Sequence, residues 1–270
     1  MKSASLSGTA RKFSVSSLAH GAVAFQQPTL MAFFCYLDCS GSSTDENRKK
    51  TISVGGYISH ETKWAEFEVL WQYILYRYDI RELCMSDFAH SEREFKKWKD
   101  QPLKRRDFMV SVGDAVNSLT MQVVGATLHL ESYDEVDKRV QLHEMLGSPY
   151  TVAAISAFAS VVDWHNRYRI NEPLLTFFER GDNAQHELRK TFDRLKWDAN
   201  DLVHPPEFKA KRWEDRDGKV RHLYPFQACD FIAYEQAKAG TNFIKGNNRG
   251  RKSLVRTELR DRSCGNDHAP

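Results

Sequence analysis

An α/β fold built on a mixed sheet is what this chain predicts, and three observations carry the expectation. Two strand-like runs stand close together near the start, at about 32–38 and at TISVGGYIS, 51–59. After them helical and extended periodicities alternate along the chain, which is the pattern of a layered domain of sheet and helix. The first run, LMAFFCYL, is uncharged and mostly apolar, as befits a strand covered on both faces. At 270 residues the chain can form one large domain or two small ones, either with a sizeable core.

Each element follows from its spacing. Trp64, Phe67, Leu70, Trp71, Ile74 and Leu75 recur at helical intervals and predict a helix from Thr62 to about Tyr78, with its aromatics in the core. Charged linkers flank a second helix near 104–119. The stretch MQVVGATLHLES reads as extended, GSPYTVAAISAFASVV as a core helix near 150–168, and PLLTFFE as a strand. A helix from about Ala184 to Trp197 follows, then a short strand around EFKAKRW, a turn at Asp217-Gly218 and a last helix beginning near Pro225. Residues 1–30 are rich in Ser and Ala and lack acids, imitating a transit peptide, and are set apart from the fold as a leader. The domain is expected over 31–243, with 244–270 a basic, mobile tail.

Composition excludes some classes. Apolar content of 41%, aromatic content of 12% and charged content of 28% fit a soluble globular protein. The longest nearly uncharged stretch is too short to span a bilayer, so no membrane partner is expected. Five cysteines, an odd number without a C-x-x-C pair, favour reduced thiols and a cytoplasmic location. A zinc set of Cys35, Cys39, Cys84 and His90 is set aside, because C-x₃-C on a strand is poor structural-zinc spacing. The net charge of +3 is uneven: Lys2, Arg11 and Lys12 precede the first acid, and the last 26 residues carry 7 bases against 3 acids, so the middle is net acidic. An acidic body that holds cations and a basic tail that touches a polyanion would produce this distribution, and so would a merely solvated tail.

Carboxylates in three stretches stand against their surroundings. Asp38 ends the first apolar run in YLDCSG, at the strand terminus where open α/β sheets place ligands; an Asx-turn explains it equally well. PLLTFFERGD repeats the pattern with Glu179 and Asp182, although Asp182 also suits a helix cap. In YPFQACDFIAYEQAK, Asp230 falls on the apolar flank of the helix while Glu235 points away. A carboxylate there needs a base or a metal. Two strand-end carboxylates and one inward helical carboxylate can converge at one sheet edge, where they repel unless divalent cations neutralise them. An all-oxygen set suits Mg²⁺ or Mn²⁺, and two such ions support phosphodiester cleavage.

In order, YLDCSG, SVGGYISHETKWAEFEVLW, LCMSDFAHSEREFKKW, FFERGDNAQHELRKTF and FQACDFIAYE resemble the uncharacterised bacterial family called domain of unknown function 3800 (DUF3800), of the ribonuclease-H-like superfamily. The resemblance runs from about Phe33 to about Lys238. It implies a ribonuclease-H-like core with a helical insertion at about 60–119, before the third strand, and a metal-dependent nuclease activity. It also implies that Asp38, Glu179, Asp182 and Asp230 are the catalytic carboxylates and that Asp87 edges the site. Cys39 and Cys84 depart from the family pattern, standing where Glu and His are frequent.

The remaining histidines show no zinc-hydrolase spacing, but His186, one turn after Asp182, could assist proton transfer. Lys209, Lys211 and Arg212 beside Trp213 could meet the phosphates and a base of a nucleic acid, or defend an exposed strand edge. The expectation is therefore a nuclease acting on DNA or RNA with Asp38, Asp182 and Asp230 as metal ligands. The alternative is a non-catalytic nucleic-acid-binding or regulatory protein that keeps the fold.

Overall fold

The computed structural model describes residues 31–41, 51–181, 185–195, 202–215 and 217–244. The expected leader and all but the first residue of the expected tail lie outside them, as does Asp182.

The first two strands, β1 (Phe33–Ser40) and β2 (Thr51–His60), lead into a long helix, α1 (Glu61–Tyr78). A short helix α2 (Met85–His90) and a 3₁₀ turn at Arg93–Trp98 precede α3 (Pro102–Leu119). Strand β3 (Gln122–His129) runs directly into α4 (Leu130–Val140), and α5 (Leu142–Leu146) connects to the core helix α6 (Pro149–Arg167). Strand β4 (Leu174–Glu179), helix α7 (Gln185–Leu195), three short strands β5 (Glu207–Lys209), β6 (Arg212–Glu214) and β7 (Val220–His222), and helix α8 (Pro225–Ile244) complete the described chain.

The main sheet has the order β3-β2-β1-β4-β5, and β6 pairs only with β7 in a ribbon of its own. β1 is antiparallel to β2 and parallel to β4, and β4 is parallel to β5, so the sheet is mixed as expected. Helices between residues 61 and 119 do precede the third strand.

Strand alternation sorts the core into two layers. Phe34 and Tyr36 of β1 and Phe177 of β4 face a layer shared with α1, α2, α3 and α8. Phe33, Cys35 and Leu37 with Leu174 and Phe178 face the opposite layer, shared with α6 and α7. The aromatics of α1 are core: Trp64, Phe67 and Trp71 are fully buried, and the Trp64 indole N–H donates to the Phe34 carbonyl at 2.9 Å. Two glycines let the layers close. A side chain at Gly56 would collide with the Tyr36 carbonyl, and one at Gly55 would meet Gln236 and Ala233 of α8.

Two expectations change and one strand was not foreseen. The extended reading of MQVVGATLHLES ends at His129, because Leu130, Tyr133 and Val136 repeat at helical spacing and Tyr133 buries itself under a hydrogen bond to the Gly147 carbonyl, 2.6 Å. The EFKAKRW strand is two strands, and the break between them falls at Ala210-Lys211, where the chain leaves the main sheet for the ribbon. The β7 strand has no apolar alternation to announce it, since Val220 and Arg221 are exposed. Ala184 and Lys196-Trp197, expected in the helix now α7, lie outside the described residues.

Candidate functional site

Parity along the strands delivers the acidic side chains to one place. Asp38 has the parity of Phe34 and Tyr36, so it emerges on the α8 side of β1. Leu37 pairs with Phe178 in the parallel register, which sets Glu179 beside Asp38 and on the same face. Glu179 pairs with Lys209, the last residue of β5, and Lys211 follows two residues on, in the break before β6. Across this face lies α8, which the Cys229 thiol ties to the Tyr36 carbonyl, 3.1 Å; Asp230 is its next residue.

The result is a cluster of three carboxylates around one ammonium. Lys211 Nζ stands 4.0 Å from Asp38 Oδ2, 3.7 Å from Glu179 Oε2 and 3.8 Å from Asp230 Oδ2. All four side chains are largely buried, at 19% exposed for Lys211 and 12%, 23% and 16% for the acids. Backbone amides satisfy part of the set: Cys39 N–H donates to Asp38 Oδ1 at 2.7 Å, and Met85 N–H to Asp230 Oδ2 at 2.8 Å. Among the described residues, no three His, Cys, Asp or Glu side chains already stand in a metal-ligating arrangement; these carboxylates stand around an ammonium.

Burial and like charge act together on this cluster. Burial pushes the Asp38 carboxyl well above the usual carboxylate range. The Glu179 charge adds to this, Lys211 opposes it, and Asp230 and a hydrogen bond with Glu179 push it further up. Burial alone would lower the Lys211 ammonium, yet Asp38, Asp230 and Glu179 together outweigh it and hold the ammonium well above its ordinary value. Beside the cluster opens a cleft of about 290 Å³, lined by Asp38, Cys39, Val54, Tyr150, Glu179 and Arg180 among others. A larger hollow of about 730 Å³ lies at the end of α1, but its charges pair with each other, Lys97 with Asp79 and Arg81 with Glu94. The smaller cleft adjoins the carboxylate cluster through Asp38 and Glu179.

The other expected residues scatter. Asp87 pairs with Arg93 at 3.5 Å, although α2 begins at Met85, which bonds Asp230. His186 is exposed on the first turn of α7. Lys209 pairs with Glu207 at 2.8 Å and lies over the Phe177 ring, while Arg212 faces Glu82 at 3.7 Å. Lys211, expected with them as a phosphate contact, turns inward to the three acids. Cys39 packs against the layer opposite Asp38. Sequence reasoning did not foresee the neighbouring group of Glu82, Arg212 and His222, in which the His222 ring stacks on Tyr224 and has its pKa lowered, chiefly by burial. No protein-family model and no curated protein sequence matches this chain.

Proposed function

We propose that the chain is a divalent-metal-dependent nuclease of ribonuclease-H-like architecture, hydrolysing phosphodiester bonds of DNA or RNA. The observation that carries this reading is the meeting of Asp38, Glu179 and Asp230, from three separate elements, around a single cationic centre at the strand ends. The donor set suits Mg²⁺ or Mn²⁺: it is all oxygen, and three acids face a single ammonium. Asp38, Glu179 and Asp230 would hold the metal, and Asp182 stays a further candidate on sequence grounds. When bound there, a divalent ion supplies Lewis acidity toward the phosphodiester and acidifies the attacking water.

The protein's own groups divide the remaining work. Glu179, on both the cluster and the cleft, accepts the proton of the attacking water. Arg180 at the cleft wall meets a phosphate oxygen. Asp230 is oriented by the Met85 amide, which keeps its carboxylate aimed at the centre.

Purified protein incubated with single-stranded DNA, duplex DNA, RNA and hybrid in Mg²⁺ or Mn²⁺ tests this. Cleavage is expected, lost by about a hundredfold or more in Asp38→Asn. If wild type and Asp38→Asn are equally inert on every substrate while nucleic acid is still bound, the non-catalytic reading replaces this one. The ammonium already standing at the centre is the observation that favours that second reading.

A further inference from the structure

We propose that Lys211 is a resident counter-cation that a divalent ion must exchange with: its ammonium fills the centre of Asp38, Glu179 and Asp230, and it leaves when the ion enters. This rests on the reading of the cluster as a cation site.

The geometry of the contacts is the first support. An ammonium locked by carboxylates donates its N–H groups at about 2.7–2.9 Å. Lys211 Nζ is instead 3.7 to 4.0 Å from all three acids, nearly equidistant, and hydrogen-bonds none of them. It is held by the summed field of the carboxylates, so its departure breaks no short hydrogen bond to them.

Charge is the second support. A single ammonium faces the three acids, whereas a divalent ion carries twice its charge and binds oxygen at shorter range. The exchange therefore runs downhill once the ion is concentrated enough.

The third support is how Lys211 is attached. It lies in the break between β5 and β6, outside any strand, and its own carbonyl accepts from Leu223 N–H at 2.8 Å. That bond closes the base of the β6–β7 ribbon, so the backbone stays anchored while a flexible four-carbon stem carries the charge. Withdrawal of the side chain disturbs neither sheet. The consequence is a threshold. Without the ion the fold keeps its acids together without open repulsion, and the site loads only when the ion outcompetes the tethered ammonium.

Calorimetric titration of Mn²⁺ into the full chain separates the outcomes. Lys211→Met should bind Mn²⁺ about tenfold or more tightly than wild type, since the competing charge is gone. Lys209→Met, which removes an equal charge paired elsewhere, should match wild type. In the wild-type chain, acylation of lysine amines read by mass spectrometry should find Lys211 protected in chelator and reactive at saturating Mn²⁺. If Lys211→Met does not fold, this second measurement decides alone. Wild type binding Mn²⁺ with Lys211→Met no tighter, or Lys211 still protected at saturation, overturns the exchange and leaves the cation site standing. No Mn²⁺ binding by wild type at all overturns both.

Discussion

A buried carboxyl outside the cluster gives the clearest test of side-chain energetics. Glu68 on α1 is 7% exposed, its Oε1 has no hydrogen-bond partner among the described residues, and burial raises its pKa from 4.5 to about 7. The folded state thus holds a proton that the unfolded chain releases. Its contribution is fully present below about pH 4.5 and is lost as pH rises to about 7. Urea unfolding of wild type at pH 8 and pH 5 should show a loss of up to about 3 kcal/mol from this group. Glu68→Gln should remove that part, and an unchanged pH dependence in the variant would contradict the assignment. At the same scale, Asp38 and Asp230 were legible because each interrupts an apolar pattern that has no use for a charge. Lys211 was not, because it sits in the break between two three-residue strands too short to register as alternation. At Asp38 one oxygen accepts the amide of the adjacent Cys39, not that of the Ser-Gly an Asx-turn was expected to use, and the other faces the Lys211 ammonium.

Among elements, the segment between α1 and α2 is fixed to α8 by a single amide side chain. Gln227 Oε1 accepts both the Trp71 indole N–H at 3.0 Å and the Leu83 backbone N–H at 2.8 Å, and Met85, two residues on, donates to Asp230. Gln227→Leu leaves two buried donors unpaired and should lower unfolding free energy by about 2–4 kcal/mol. The same variant should lower activity more than its stability predicts, because the Met85 amide orients Asp230. Thermal unfolding and cleavage rates measured side by side would contradict this if only stability fell. Helices with sustained apolar spacing, such as α1, α3 and α6, were legible almost to their ends. The helix α4 was not, because its start continues the alternation of β3 and only Tyr133 is buried. The break after β5 was hidden for a similar reason: nothing in Lys-Ala-Lys-Arg marks a change of sheet.

For the whole molecule, three acids gather around one ammonium at the ends of the adjacent inner strands β1 and β4. The mixed sheet was legible from two early strands followed by alternation, because the helical connection between β3 and β4 is long enough to return the chain parallel to β1. Convergence of the acids was inferable only as a possibility, since it depends on register between strands far apart in sequence. An ion that binds the folded state alone stabilises it, by about 2.7 kcal/mol at a hundred times its dissociation constant. Mg²⁺ or Mn²⁺ should therefore raise the melting temperature by roughly 5–10 °C, and a scan showing no shift in either ion would count against a folded-state cation site. Among the described residues no helix is long and apolar enough to cross a membrane.

The most direct measurement is Mn²⁺ calorimetry on wild type beside Asp38→Asn, Glu179→Gln and Asp230→Asn, with Glu235→Gln on the other flank of α8 as control. The account predicts binding by wild type and the control, and a loss of about tenfold or more in each of the other three. Binding that survives all three substitutions, or is absent from wild type, would contradict it.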